Sequence, residues 1–407
     1  MSEHTQGGPP RSSWGRVRLL DRNVRSLGLV SFFADFSTEM IYPLFPYFIT
    51  GVLGAPAAVL GLIEGIAEAT ASITRYPFGQ WSDFTGRRRA FTSAGYGLAA
   101  VGKLVLAVSF VWPVALVGRF VDRLGKGMRT APRDALIAAS TKPGERGVAF
   151  GLHRTLDTLG AIVGPLIAIL LLELHLSYRA IFAIAFVPGV VSIAVIALFV
   201  REQRQKPQRA AFRPKLPPSP AFRWLLASSL MFGVGNSSDA FILLKARAVG
   251  LGPIAAVLLY VLYNVTYSAV SLPAGNLSDR IGQIPLVLSG YVVFAAVYAG
   301  FAAAGSWAPL VVLFAAYGVY IATTEGTSKA LISRVTPKAA HASSMGLYYT
   351  ASGAASLAAS VIGGVLWSAV GPWATFVYGA VCALLAAIVL AVARGKAVET
   401  IEGQVEG

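Results

Sequence analysis

Runs of about 20 apolar residues, each closed by a short polar turn, recur from position 27 to position 394 and predict twelve bilayer-crossing helices. Spans 1 to 12 fall near 27–49, 56–79, 90–111, 112–139, 147–172, 178–200, 221–245, 253–275, 284–304, 307–333, 342–367 and 372–394. Alternate turns are basic. One set holds Arg87, Arg88 and Arg89, then Lys142 and Arg146, a run from Arg201 to Lys215, then Arg280, Arg334 and Lys338. The other set is nearly uncharged apart from Arg179 and the Lys245/Arg247 pair. Positive-inside bias therefore predicts that both termini face the cytoplasm, in a plasma or inner cell membrane.

The apolar pattern is interrupted once at length. Residues 201–220 are basic and proline-rich with no apolar period, as a cytoplasmic linker would be. The predicted organisation is a cytoplasmic tail at 1–26, a six-helix bundle at 27–200, the linker at 201–220, a second bundle at 221–394 and a tail at 395–407. The halves repeat. Asp279 stands where Asp83 stood, Lys329 where Asp134 stood and Gly346 where Gly151 stood, at offsets of 196, 195 and 195 positions. The expected fold class is all-α integral membrane, with two six-helix bundles related by a pseudo-two-fold axis and rocking about a central site.

Span 4 breaks the rule that spans are oily. Arg119, Asp122, Arg123, Lys126, Arg129, Arg133 and Asp134 fall within a sector of roughly 140° on a helix advancing about 100° per residue. Mid-membrane charge is costly unless paired or hydrated, so this stripe is expected to line a water-filled cavity. Pro132 is expected to kink the helix without ending it.

Composition adds less. The chain is 55% hydrophobic and 13% charged, as a polytopic membrane protein is. Its net charge of +15 follows from the basic turns, so no nucleic acid is expected as a partner. One cysteine excludes an intramolecular disulfide and a cysteine-based metal cluster. No zinc-ligand set, nucleophile elbow or phosphate-binding loop is present, so neither a cofactor nor an enzyme is expected.

Gly79-x-x-x-Asp83-x-x-Gly86-Arg87-Arg88 follows span 2 and recurs in weaker form after span 8. With the twelve spans, it resembles the signature of the major facilitator superfamily. Within that family, Gly160-x-x-x-Gly164-Pro165 in span 5 is similar to the motif of drug–proton antiporters, although Ala168 and Ile169 replace a further glycine pair. Arg123-x-x-Lys126-Gly127 matches the family's span 4 motif with lysine in place of glutamine. The resemblance implies alternating access and a cytoplasmic latch made by Asp83, Arg87, Arg133 and Asp134.

Elementary chemistry supports the latch. Glycines at 79 and 86 suit a tight turn. Asp83 suits the positive end of the span 11 helix near Ser343, and Arg87 needs an acid, for which Asp134 is placed. In the second copy Gln283 replaces Arg87 and Lys329 replaces Asp134, the joint change an ion pair would require, leaving Lys329 to Asp279 or Glu325.

Remaining intramembrane charges are candidates for the central site. Asp35, Glu39, Asp157 and Asp239 are candidate proton carriers. Arg119, Asp122, Arg123, Lys126, Arg154, Asn236 and Glu325 are candidates for the substrate cavity. Glu64 and Glu68 read equally well as hydrated residues near the outer end, and His153 as a hydrogen-bonding residue rather than a switch. The expected activity is monomeric, proton-coupled secondary transport of a small organic solute, with export by antiport favoured by the span 5 motif. Symport or uniport of an organic anion is the alternative, because the stripe holds five cations against two acids. A lipid-modifying membrane enzyme and a non-transporting sensor are weaker alternatives.

Overall fold

A computed structural model describes residues 20–142, 145–202, 220–336 and 341–405, and all regular structure among them is helical. Most of the expected linker, residues 203–219, and the tail at 1–19 lie outside the described residues. Nine of the described helices are long and apolar enough to cross a membrane. Spans 1, 4 and 7 complete the twelve, and each departs from a simple apolar helix for a local reason.

Span 1 is a helix over Arg22–Glu39, capped at its start by the Asp21 carboxylate, which accepts from the Asn23 amide at 2.7 Å. Beyond Glu39 it continues as short irregular turns to Val52, because Pro43 and Pro46 supply no amide hydrogen. Span 4, Trp112–Ala139, stays helical through Pro132 and carries the charge stripe. Span 7 is split into Pro220–Gly235 and Ala240–Ala248. Asn236, Ser237, Ser238 and Asp239 fill the break, a run of side chains that compete for backbone hydrogen bonds. Span 12 runs from Pro372 to Val405, so the segment expected as a tail from 395 continues the helix.

The pairing of helices obeys the duplication. In the first half span 1 packs on spans 5 and 6, span 4 on spans 2 and 3, and span 3 on span 6. In the second half span 7 packs on spans 11 and 12, span 10 on spans 8 and 9, and span 9 on span 12. Between halves, span 2 meets span 11 and span 5 meets span 8, a pair of contacts that also exchange under the two-fold. Glycines allow the tighter of these seams: a Cβ at Gly353 would stand 2.8 Å from Ser72 Cβ, and one at Gly65 3.0 Å from a Leu357 methyl.

The end of the bundle holding Arg22, Thr85, Ala139 and Phe199 is here the linker end, and the other the far end. The far end is closed between the halves. Tyr47 donates to the Leu251 carbonyl at 3.0 Å, the Ala58 amide donates to Ser368 Oγ at 3.0 Å, and Arg247 donates to Thr50.

Candidate functional site: a cavity between the bundles

A cavity of about 580 Å³ lies between the halves, floored at the far end by Tyr42, Glu39 and Asp239 and reaching Glu325, Ser328 and Lys329 toward the linker end. Its two walls differ in chemistry. The first half supplies charge: Glu39 from span 1, Glu68 from span 2, and Arg123 and Lys126 from span 4. The second half supplies Asp239, Glu325 and Lys329 together with most of the phenols and aromatic rings, among them Tyr260, Tyr263, Tyr317 and Tyr320.

The stripe of span 4 does not all face this cavity. Arg119 turns into the first bundle and grips Glu64 through Nε and Nη2, at 2.8 and 3.0 Å, with both side chains closed to solvent. The pair is bidentate and charge-assisted. Asp122 lies 3.6 Å from Arg119 and 3.3 Å from Lys103, a buried span 3 lysine. Arg123 reaches Glu68 at 3.4 Å and Asp122 at 3.9 Å. Arg129 packs its guanidinium 4.3 Å over the Tyr96 ring. Arg119 and Asp122, expected in the cavity, are therefore behind its wall, and Glu64 is sealed, not hydrated. Helical angle places a residue on a face, but a sector that wide also touches spans 2 and 3. Lys126 is different: it lines the cavity and has no ion-pair partner among the described residues.

Opposite it, the break in span 7 turns Asp239 into the cavity. Tyr263 donates to one carboxylate oxygen at 3.0 Å and Tyr317 to the other at 2.7 Å. Asn236 donates its amide to Tyr320 at 3.0 Å, while its Oδ1 is buried without a hydrogen-bond partner. Tyr260 reaches across the interface and donates to Glu39 of span 1. Neither Glu39 nor Asp239 takes part in an ion pair among the described residues.

The span 5 motif is set against the span 1 acids. A Cβ at Gly160 would stand 3.2 Å from Asp35 Cβ, and one at Gly164 would stand 2.6 Å from the Phe36 carbonyl and 3.1 Å from Glu39 Cβ. The glycines thus let span 5 approach the backbone that carries both carboxylates. Pro165 is buried one residue on. Asp157, from the same helix, accepts from Ser31 Oγ at 2.5 Å and lies in hydrogen-bond contact with Asp35. Its other oxygen is 3.4 Å from Arg154, which donates to Tyr267 of span 8. Tyr267 donates to Glu325 at 2.9 Å, and Lys329 pairs with the same carboxylate at 2.9 Å. One polar chain thereby crosses from span 5 to span 10. Asp157 and Arg154, which begin this chain, and Asp35 next to Asp157 lie outside the cavity lining.

At the linker end Gly86 adopts φ +64°, the left-handed turn that glycine permits. Gly79 is not in that turn. It sits inside the span 2 helix, where a Cβ would stand 2.9 Å from Ala131. Asp83 pairs with Arg88 at 2.6 Å, and Asp134 with its neighbour Arg133 at 2.9 Å. Asp83 therefore has a partner other than the span 11 helix end, and the Ser343 side chain lies outside the described residues. Arg87 and Asp134 form no ion pair in this arrangement, in which Lys329 and Glu325 on the linker side of the cavity keep 40% and 46% of their side-chain surface exposed to solvent. Lys329 is held by Glu325, and no ion pair of Asp279 is among those described.

The Major Facilitator Superfamily sequence profile matches residues 27–260 and again 240–406. An MFS-type transporter of uncharacterized role from Methanocaldococcus jannaschii is 36% identical over 383 residues, covering 92% of this chain and 95% of its own. The chain belongs to the major facilitator superfamily. This transporter is also 25% identical to the multidrug resistance protein MdtG of Citrobacter koseri, over 67% of this chain and 70% of that one. The fold matches a crystal structure of the nucleoside transporter NupG with a TM-score of 0.76 at 14% identity, covering 91% of this chain and 100% of that one.

Three features of this transporter escaped sequence reasoning. Lys103 is a lone charge in an apolar run, and only the packing of spans 3 and 4 shows its partner. The tyrosines of spans 8 and 10 lie at helical spacing, as Tyr260, Tyr263 and Tyr267 do, and carry no charge that would mark them within an apolar span. The break in span 7 had a signal, the polar run Asn236 to Asp239, which a count of apolar residues passes over.

Proposed function

We propose that this transporter is a proton-coupled antiporter that exports a small organic solute from the cytoplasm as a monomer. One observation carries the reading: Glu39 and Asp239 face the same cavity from opposite bundles, and neither has a cationic partner. A carboxylate so placed is neutralised either by a proton or by a positively charged group of a solute, and competition between the two is what couples an antiporter. Asp35 and Asp157, side by side on spans 1 and 5, are the relay that this reading assigns beside the cavity. The span 5 glycines against Asp35 and Glu39, and the likeness to a multidrug resistance protein, support the same reading.

The basic turns place the linker end and both termini in the cytoplasm of a plasma or inner cell membrane. The cavity then opens inward, the state in which an exporter loads.

The test is proton movement in proteoliposomes carrying an internal pH dye, screened over a panel of organic cations, anions and neutral solutes. With an acidic lumen, adding an antiported solute outside drives protons out and the lumen turns alkaline. Lysis-free acidification on adding solute would instead establish symport. Lys126, unpaired in the cavity, favours that second reading with an organic anion as the solute.

A further inference from the structure

The second-half wall of the cavity is more specific than a hydrophobic lining. Rings run edge to face from Tyr260 to Tyr263 at 4.9 Å and on to Tyr317 at 5.7 Å, and a tilted contact leads to Tyr320 at 5.2 Å between centroids. Phe232 continues the series 5.7 Å from Tyr320. Every one of these side chains lines the cavity, and Asp239 accepts hydrogen bonds from two of them, Tyr263 and Tyr317.

We infer that Asp239 and its surrounding tyrosines form a binding site for an organic ammonium group. Three independent features point to a cation. Asp239 accepts from two phenols, and a carboxylate has about four lone-pair positions, so two remain for a ligand. Asn236 Oδ1 is a buried acceptor with no donor, a few residues before Asp239 in the same helix break. Phenols that donate to a carboxylate become richer in electrons, and at these buried positions their rings attract a cation more strongly than exposed ones would. Arg123 is held by Glu68 and Asp122 and Lys329 by Glu325, while Lys126, which also lines the cavity, forms no ion pair with Asp239 among the described residues.

The site deepens the proposed antiport and rests on it for its place in the cycle, since ammonium and proton would then compete for carboxylates in one cavity. A quaternary ammonium separates charge recognition from proton donation, because it carries no exchangeable proton.

The experiment is isothermal titration of the full chain in detergent with benzyltrimethylammonium, its neutral isostere neopentylbenzene, and benzenesulfonate. Benzyltrimethylammonium should bind saturably, and at least about tenfold more tightly than the isostere, the equivalent of one partly desolvated charge interaction. Asp239→Asn should weaken the cation about tenfold or more, and Tyr317→Phe by severalfold, while Glu173→Gln at the exposed end of span 5 leaves it unchanged. If Asp239→Asn does not fold, the Tyr263→Phe, Tyr317→Phe double variant decides, with the same loss expected. Equal binding of the neutral isostere, unchanged affinity in these variants, no binding of the cation, or preferential binding of benzenesulfonate overturns the site. Because no gradient is present, ammonium binding without coupled proton flux would end the antiport reading alone. Proton flux coupled to another solute, without ammonium binding, would end this one alone.

Discussion

Arg119 and Glu64 meet through two hydrogen bonds with both side chains closed to solvent, and Ser238 of span 7 donates to the same Glu64 carboxylate at 3.4 Å. Their role is to hold spans 2 and 4 together. Arg119→Ala leaves a buried carboxylate without its counter-charge, which costs about 3–5 kcal/mol. The variant should show a large fall in melting temperature in detergent. Replacing both residues, as Glu64→Leu with Arg119→Met, should restore most of the loss. A single variant as stable as the parent would show that the pair is not structural.

Much of this architecture was readable from the chain alone. The span boundaries follow apolar length, and the repeat of Asp83 at Asp279 announces two bundles whose helix pairings match. The site was only half readable. Helical angle put Arg119, Arg123 and Lys126 on one face, but it cannot say which neighbour a face meets. Glu64 and Lys103 capture Arg119 and Asp122 from other helices, and such partners are separated from the stripe by tens of residues. Asp239 was found as a charge in span 7, whereas its aromatic surroundings come from spans 8 and 10 and exist only after packing.

Lys126 separates the two solute classes. If the solute is an organic ammonium, Lys126→Gln should leave its KM within about twofold, since the lysine makes no contact with Asp239. If the solute is an anion held by Lys126, the same change should raise KM about tenfold or more, the loss of one charge-assisted hydrogen bond. Transport kinetics with the solute found in the panel screen, at equal membrane levels, gives the answer.

Arg87 and Asp134 are apart while the cavity is open at the linker end, and they should pair when that end closes. The sequence supplies a control, since Gln283 and Lys329 cannot make the equivalent pair. Arg87→Ala or Asp134→Asn should move the population toward the present open state by about fivefold, in line with about 1 kcal/mol for a partly exposed pair. Gln283→Ala should be nearly silent. The exchange of both, Arg87→Asp with Asp134→Arg, should recover part of the loss. Distances between spin labels at the linker ends of spans 4 and 10 would report the populations. An exchange no better than either single variant, at normal membrane levels, contradicts direct contact.

The coupling itself rests on Glu39, which Tyr260 joins to the second bundle and which faces the cavity opposite Asp239. Glutamine in its place still accepts from Tyr260 but cannot exchange a proton. The decisive measurement compares two fluxes for Glu39→Gln in the same proteoliposomes: solute-for-solute exchange without a pH gradient, and net solute movement driven by one. Exchange should persist at a rate near that of the parent, while gradient-driven movement falls at least about tenfold and loses its pH dependence. Gradient-driven transport unchanged in rate and pH dependence would contradict the account and pass the proton to Asp157 or Asp239.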